Sequence, residues 1–249
     1  MRIAALCDIH GNMPALEAVM REVRAAGVDR IVAGGDVVVG PDSREAMAYL
    51  LGLDLPVDFV HGNCETAVLN AMAGLDPGRM PEDAKAAVRW TADSLKPDYE
   101  AVLAGWPLTA RIHVSGIGDV VFCHATPRHD NEIFVRTTAE ERLIGIFAPL
   151  NAAIVVCGHT HMAFDRTVGR TRVINAGSVG MPFGAPGADW LLLGPGVELR
   201  HTNYDLDAAA ARIRATAYPG AQEWTDKYLL RPPSAEQMLE LFRQHELET

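Results

Sequence analysis

Asp8-Ile9-His10, Gly35-Asp36, Gly62-Asn63, His124 and Gly158-His159-Thr160-His161 are the residues whose types and spacing best suit chemistry. Each group delivers Asp, Asn or His just after a short apolar run that reads as a strand. Alternation along an extended segment sends Asp8 and His10 to the same side, so two potential ligands converge. The glycine before Asp36 permits a tight turn, and a carboxylate at a strand's carboxyl end enters the crevice that open α/β sheets use for ligands. One polar residue at a strand end is ordinary. Five such ends in the same topological position point to one shared site.

The elements that must position them follow from periodicity. Arg2–Cys7 reads as a strand, and Met13–Ala26 as a helix with Leu16, Val19, Met20 and Val23 on one face. Arg30–Ala33 and Val57–His61 read as strands, Ser43–Leu51 and Glu65–Met72 as helices, and this alternation predicts a parallel, right-handed α/β sheet. Residues 81–104 read as two helices separated at Pro97. Beyond them, Leu108–Val114, Val120–His124 and Ala153–Cys157 read as strands, with a helix over Thr137–Phe147. Two hairpins are expected, Phe164–Val168 with Thr171–Asn175 and Trp190–Leu193 with Val197–Tyr204, so that the late chain is antiparallel. Helices are expected over Asp205–Thr216, Gln222–Leu230 and Ser234–Gln244. The organisation expected is a single domain over residues 1–249, with 205–249 a C-terminal helical extension packing on the main sheet. A cap over the site, or a surface for a homo-oligomer, is the alternative role for that extension.

The ordered set D-x-H, G-D, G-N, a lone H and G-H-x-H resembles the calcineurin-like metallophosphoesterase superfamily. The match runs from Asp8 to His161, and Asn175-Ala176-Gly177-Ser178-Val179 resembles the N-x-G-S-V segment of its small bacterial and archaeal phosphodiesterase branch. The resemblance implies two facing mixed β-sheets flanked by helices, a four-layer sandwich. It implies one divalent metal ion held by Asp8, His10 and His161 and a second held by Asn63, His124 and His159, with Asp36 bridging. A donor set mixing carboxylate, amide and imidazole suits Mn, Fe, Ni or Zn better than an all-oxygen Mg or Ca cage. The implied reaction is attack of a metal-bridging hydroxide on a small phosphoester, with Asp36, Asn63, His124 and Cys64 as the expected catalytic residues. Most of the superfamily has His where this chain has Cys64, and a thiol is a poorer proton donor than imidazolium. Cysteine at that position fits the phosphodiesterase branch. A nucleotidase-like phosphomonoesterase and a non-catalytic scaffold of the same fold are the alternatives, the scaffold disfavoured because all seven ligand positions carry metal-competent residues.

Around this set, Cys64, Arg128 and His129 are placed to meet the substrate, and His61 to support a ligand. Cys7, Cys123 and Cys157 adjoin the motif residues and read as small buried residues closing strands. The segment Gly177–Pro182 is either a loop beside the metals or a plain turn.

With 32 acidic against 22 basic side chains in 249 residues, the formal charge is −10. That balance excludes a grip on long nucleic acid and a basic membrane-binding face. No apolar run approaches the about 18 residues of a membrane span, and the first residues lack a signal peptide's apolar region, so a cytoplasmic location is expected. Hydrophobic residues make up 49% of the chain, which suits an ordinary globular fold. Two divalent cations would outweigh the charges of Asp8 and Asp36, leaving a locally positive pocket in an acidic protein. The surrounding charge then favours a small phosphoester over an extended polyanion.

Overall fold

In a computed structural model that describes residues 1–95 and 97–248, strand β1 (Ile3–Leu6) is apolar throughout because both of its faces are covered. Ala4 and Leu6 face helices α1 (Met13–Ala25), α2 (Ser43–Leu51), α3 (Asn63–Met72) and α4 (Glu82–Leu95). Ile3, Ala5 and Cys7 face the other way, into a second core shared with Val120, Phe122, Val156 and Ile174 of another sheet. Beyond a short α5 (Glu100–Ala104), α6 (Glu140–Phe147) covers that second sheet in turn, through Leu143 and Phe147. The result is four layers, helices, sheet, sheet, helix. Each buried Ile or Leu of the two inner faces contributes about 1.5–3 kcal/mol.

The first sheet has the order β10-β9-β1-β2-β3, with β2 (Arg30–Ala33), β3 (Val57–Phe59), β9 (Ala188–Leu193) and β10 (Val197–Thr202). β1, β2 and β3 run parallel, as the alternation of strand and helix predicts. The second sheet has the order β4-β5-β6-β8-β7, with β4 (Thr109–Val114), β5 (Gly118–Cys123), β6 (Ile154–Cys157), β7 (Phe164–Val168) and β8 (Thr171–Asn175). The expected β7–β8 and β9–β10 hairpins form. The later chain is nevertheless not purely antiparallel, because β8 pairs with β6 in parallel and leaves β7 at the edge. Both sheets are therefore mixed.

Three boundaries differ from expectation for local reasons. β3 stops at Phe59 because the chain leaves β2, and the His61 N–H goes to the Pro107 carbonyl at 2.8 Å. Helix α6 starts at Glu140 because the Thr138 hydroxyl takes the Val135 N–H at 2.8 Å, a side-chain bond that competes with helix entry. The expected Gln222–Leu230 helix is a short α8 (Ala221–Trp224) followed by a wider π turn, Thr225–Leu230.

Among the described residues, the buried apolar side chains of α7 (Leu206–Arg214) and of the segment after it cluster with α4 rather than with a sheet. Ile213 of α7, Tyr218, Trp224 and Leu229 form a cluster with Ala87 and half-buried Trp90 of α4. Helix α9 (Ala235–Arg243) has an N-terminal capping box between Ser234 and Gln237 and buries none of its residues. No helix among the described residues is long and apolar enough to cross a membrane.

Candidate metal centre

The loops leaving β1 and β2 run side by side, with Asp8 N donating to the Gly35 carbonyl at 3.1 Å and His10 N to that of Asp36 at 2.9 Å. Within them the backbone turns left-handed at non-glycine residues, Asp8 with φ 54°, His10 with 47° and Asp36 with 52°. His159 and His161, after β6, are left-handed too, at 67° and 55°. Such conformations cost on the order of 1 kcal/mol or more each and persist only where surrounding structure enforces them. They also alter the reason for convergence. Asp8 and His10 meet because of left-handed turns, not because of strand alternation.

Seven of the sequence-predicted residues gather at this end of the two sheets. His161 Nε2 lies 3.2 Å from Asp8 Oδ1 and 3.2 Å from His10 Nε2. His10 Nε2 is 4.0 Å from Asp8 Oδ1 and 3.8 Å from Asp36 Oδ2. On the other side, His124 Nε2 is 2.9 Å from Asn63 Oδ1 and 3.4 Å from Asp36 Oδ1. The His159 ring stands edge-on to that of His124, centroids 5.0 Å apart. Asp36 thus faces each half with a different oxygen. Asn63 arrives from the first turn of α3 rather than from a strand end.

These residues fit a cation centre. The Nδ1 atoms of His10, His124 and His161 face the carbonyls of Val39, Gly34 and Met181 at 3.3, 3.1 and 2.8 Å. A carbonyl only accepts, so each Nδ1 carries a proton and each ring turns its Nε2 inward, where a bound cation takes the place of a second proton. The Nε2 atoms of His10 and His161, 3.2 Å apart, need a proton or a cation between or beside them, and Asp8 raises the pKa of His161 against the effect of burial. Asp8 Oδ1 and His159 Nε2 are buried with no hydrogen-bond partner, which is costly without a cation. Asp8, His10 and His161 have donor atoms close enough together to ligate one ion, and so do Asp8, Asp36 and His124. Burial, followed by the neighbouring charge of His161, lowers the pKa of His10 to about 4, and burial with His124 lowers that of His159 to about 4. Both rings stay neutral and ready to ligate at neutral pH. Burial works against the charge of Asp36, but His124 and His10 outweigh it and bring its pKa down to about 2.

The cage is held by residues whose part the motif alone does not reveal. Glu65 is fully buried, and its two oxygens accept the N–H groups of Asp36 and Gly62 at 2.8 Å, Val37 at 2.9 Å and Val38 at 3.3 Å. Burial and the charge of Asp36 raise its pKa to about 7, and the N–H donors oppose that rise. The readable signal was a glutamate three residues after the helix-entry Gly62, the reach-back half of a capping box. Ser178 donates to the Asp8 carbonyl and accepts from Met181 N, both at 2.8 Å, while Asn175 Nδ2 donates to the Gly158 carbonyl at 2.6 Å. The Asn175–Met181 segment is therefore a buttress of the site rather than a plain turn. Gly158 has no room for a side chain: a Cβ there would lie 2.2 Å from Asp8 Oδ2.

Among the residues expected to meet substrate, Cys64 adjoins the centre. Its N–H donates to Asp36 Oδ1 at 2.8 Å, and burial and Asp36 push its thiol well above the usual range. Arg128 is set aside on buried Glu132, with Nε donating to Oε2 at 2.8 Å, and His129 sits 3.3 Å from Asp130. His61 bonds to Thr66 at 2.8 Å rather than to a motif residue. Cys7, Cys123 and Cys157 are buried, their thiols toward backbone carbonyls at 3.6–3.9 Å.

A family model, the calcineurin-like phosphoesterase superfamily domain, matches residues 1–193. The chain belongs to that superfamily. An uncharacterized protein of Methanocaldococcus jannaschii is 26% identical over 247 residues, covering 91% of this chain and 96% of its own. A metallophosphoesterase from Sphaerobacter thermophilus superposes with a TM-score of 0.65 at 26% identity, over 86% of this chain and 93% of the other. A hypothetical protein from Pyrococcus horikoshii gives 0.77 at 19% identity, over 92% and 98%, a likeness of fold. The superfamily is one of metal-dependent phosphoesterases, and the sandwich of two mixed sheets found here is its fold.

Proposed function

We propose that this phosphoesterase hydrolyses a small phosphodiester, with Asp8, His10 and His161 holding one divalent cation, Asn63, His124 and His159 holding another, and Asp36 common to both. The observation that carries the reading is the inward set of imidazole Nε2 and carboxylate atoms, the rings tied to backbone carbonyls through Nδ1. Two divalent cations held there supply positive charge for the phosphoryl oxygens and lower the pKa of water towards neutrality. The protein's contribution is rigidity. Glu65 and Cys64 N–H fix the Asp36 loop, Ser178 fixes Asp8, and backbone carbonyls fix three imidazoles, so little reorganisation accompanies the reaction. A side-chain nucleophile is not needed, and the Cys64 thiol, held protonated by burial and Asp36, is a poor one.

A diester is favoured over a monoester because Cys64, at the position of the superfamily's usual histidine, and the Asn175–Val179 segment both resemble the small phosphodiesterase branch. A weakly acidic thiol gives little help to a leaving alkoxide. The experiment is metal analysis of the purified protein followed by hydrolysis of bis(4-nitrophenyl) phosphate with Mn²⁺. Turnover in the native protein, with a loss of about 10²-fold or more in Asp36→Asn, is expected. No bound or activating metal, together with an unaffected mutant, refutes the reading and leaves the scaffold alternative. Equal rates on 4-nitrophenyl and alkyl diesters refute the stated part of Cys64.

A further inference from the structure

Beside His10, Asn63 and Cys64 opens a cavity of about 290 Å³. It is lined by Tyr218, Trp224 and Tyr228, which belong to the part of the chain beyond the residues 1–193 matched by the superfamily model. Small side chains, Ala67 of α3 and Ala84 and Ala87 of α4, also line it, so the space is bounded by alanines and aromatic rings together. The π turn Thr225–Leu230 carries both Tyr228 and Lys227 of this lining, and such wide turns recur at functional sites. Lys227 Nζ lies 4.9 Å from the centre of the Tyr228 ring, and Asp83 and Glu223 also line the opening. The opening thus has two carboxylates against one ammonium that is already engaged.

We propose that this cavity receives the organic arm of the phosphoester and selects one that is apolar and aryl-sized, with no second phosphate. The inference rests on the metal-site reading above. The volume lies just below the about 300–1,000 Å³ of pockets that enclose drug-sized ligands, which suits a single ring system rather than a long chain. The apolar and aromatic lining favours an uncharged arm, and the acidic opening repels a further phosphate. Specificity then comes from the C-terminal extension, while the phosphoryl group is held by the sheet ends.

Binding measured by calorimetry on the Mn²⁺-loaded protein tests this without requiring turnover. Phenylphosphonate is expected to bind at least about tenfold more tightly than methylphosphonate, the discrimination an apolar pocket gives for a group of this size. Ala84→Leu fills the cavity and is expected to bring the ratio to about one, while Tyr228→Ala lowers it several-fold; in both, unchanged methylphosphonate affinity shows an intact centre. 1,4-Phenylenediphosphonate, the same ring with a second anionic group, is expected to bind more weakly than phenylphosphonate. Binding of both monophosphonates with a ratio near one, or a ratio untouched by both substitutions, overturns this inference alone. Tighter binding of the diphosphonate overturns the single-phosphate selection. Failure of both monophosphonates to bind overturns the inference together with the metal-site reading. Phenyl selectivity in a protein that cleaves no ester leaves the cavity assignment standing and refutes the hydrolytic one.

Discussion

Glu65 and Cys64 are neighbours in sequence with opposite relations to the centre. Glu65 never reaches it, yet its carboxylate collects four backbone N–H groups from the loop that carries Asp36 and from the entry of α3. Glu65→Gln replaces one acceptor oxygen with an N–H₂ that faces donors. A stability loss of about 1–3 kcal/mol is expected in denaturant unfolding, with metal affinity down about 10–100-fold by titration. Cys64 is different, because it touches the cavity and could be exchanged for the superfamily's usual residue. Cys64→His is expected to raise turnover of alkyl phosphodiesters by about tenfold or more and to leave 4-nitrophenyl diesters nearly unchanged, since only a poor leaving group needs the proton. Steady-state rates on the two ester classes decide it.

At the scale of elements, the centre depends on how closely β1 and β6 approach at their carboxyl ends. Gly158 begins the loop after β6, and an added Cβ would meet Asp8 Oδ2 at 2.2 Å and Cys7 Cβ at 2.7 Å. Neither neighbour yields readily, because Cys7 lies in the core between the sheets and Asp8 Oδ2 accepts the His159 N–H at 2.9 Å. Gly158→Ala is expected to cost about 1–3 kcal/mol and to lower the bound metal measured by plasma emission, with the fold kept by circular dichroism. The regular elements themselves were largely readable, because 3.6-residue periodicity and short apolar runs mark α1, α2 and the strands of the first sheet. What escaped was set by bonds outside each element: Thr138 delaying α6, the Pro107 carbonyl ending β3, and β8 choosing β6 as its parallel neighbour.

For the whole molecule, the assembled centre is a concentration of like-directed donors that a divalent cation relieves. Ligand that binds only the folded state adds about 2.7 kcal/mol at a hundredfold excess over its dissociation constant. In a protein of this length that corresponds to about 5–10 °C in Tm. Chelator treatment is expected to lower the melting temperature, Mn²⁺ to restore it, and Asp36→Asn to remove most of the difference, all readable by scanning calorimetry. The net charge of −10 belongs to this scale too. It is spread over the surface, whereas the centre lies at the adjoining ends of two sheets, so a globally acidic chain can present a cationic site.

The order and type of Asp8, His10, Asp36, Asn63, His124, His159 and His161 were legible from sequence because each stands within a few residues of the end of an apolar run, and strand ends in α/β sheets share one side. The family and the layered α/β class followed from the same pattern. Tertiary structure alone decided the left-handed turns that make Asp8 and His10 converge, the four-donor cradle of Glu65, the setting of Arg128 on Glu132, and the use of the C-terminal helices as a cavity wall instead of a cover for the sheet. The reason is physical. Periodicity reports which residues leave water, and it carries no information about which of several buried surfaces they meet; that choice is made by contacts between segments far apart in the chain, such as Trp224 and Ala87.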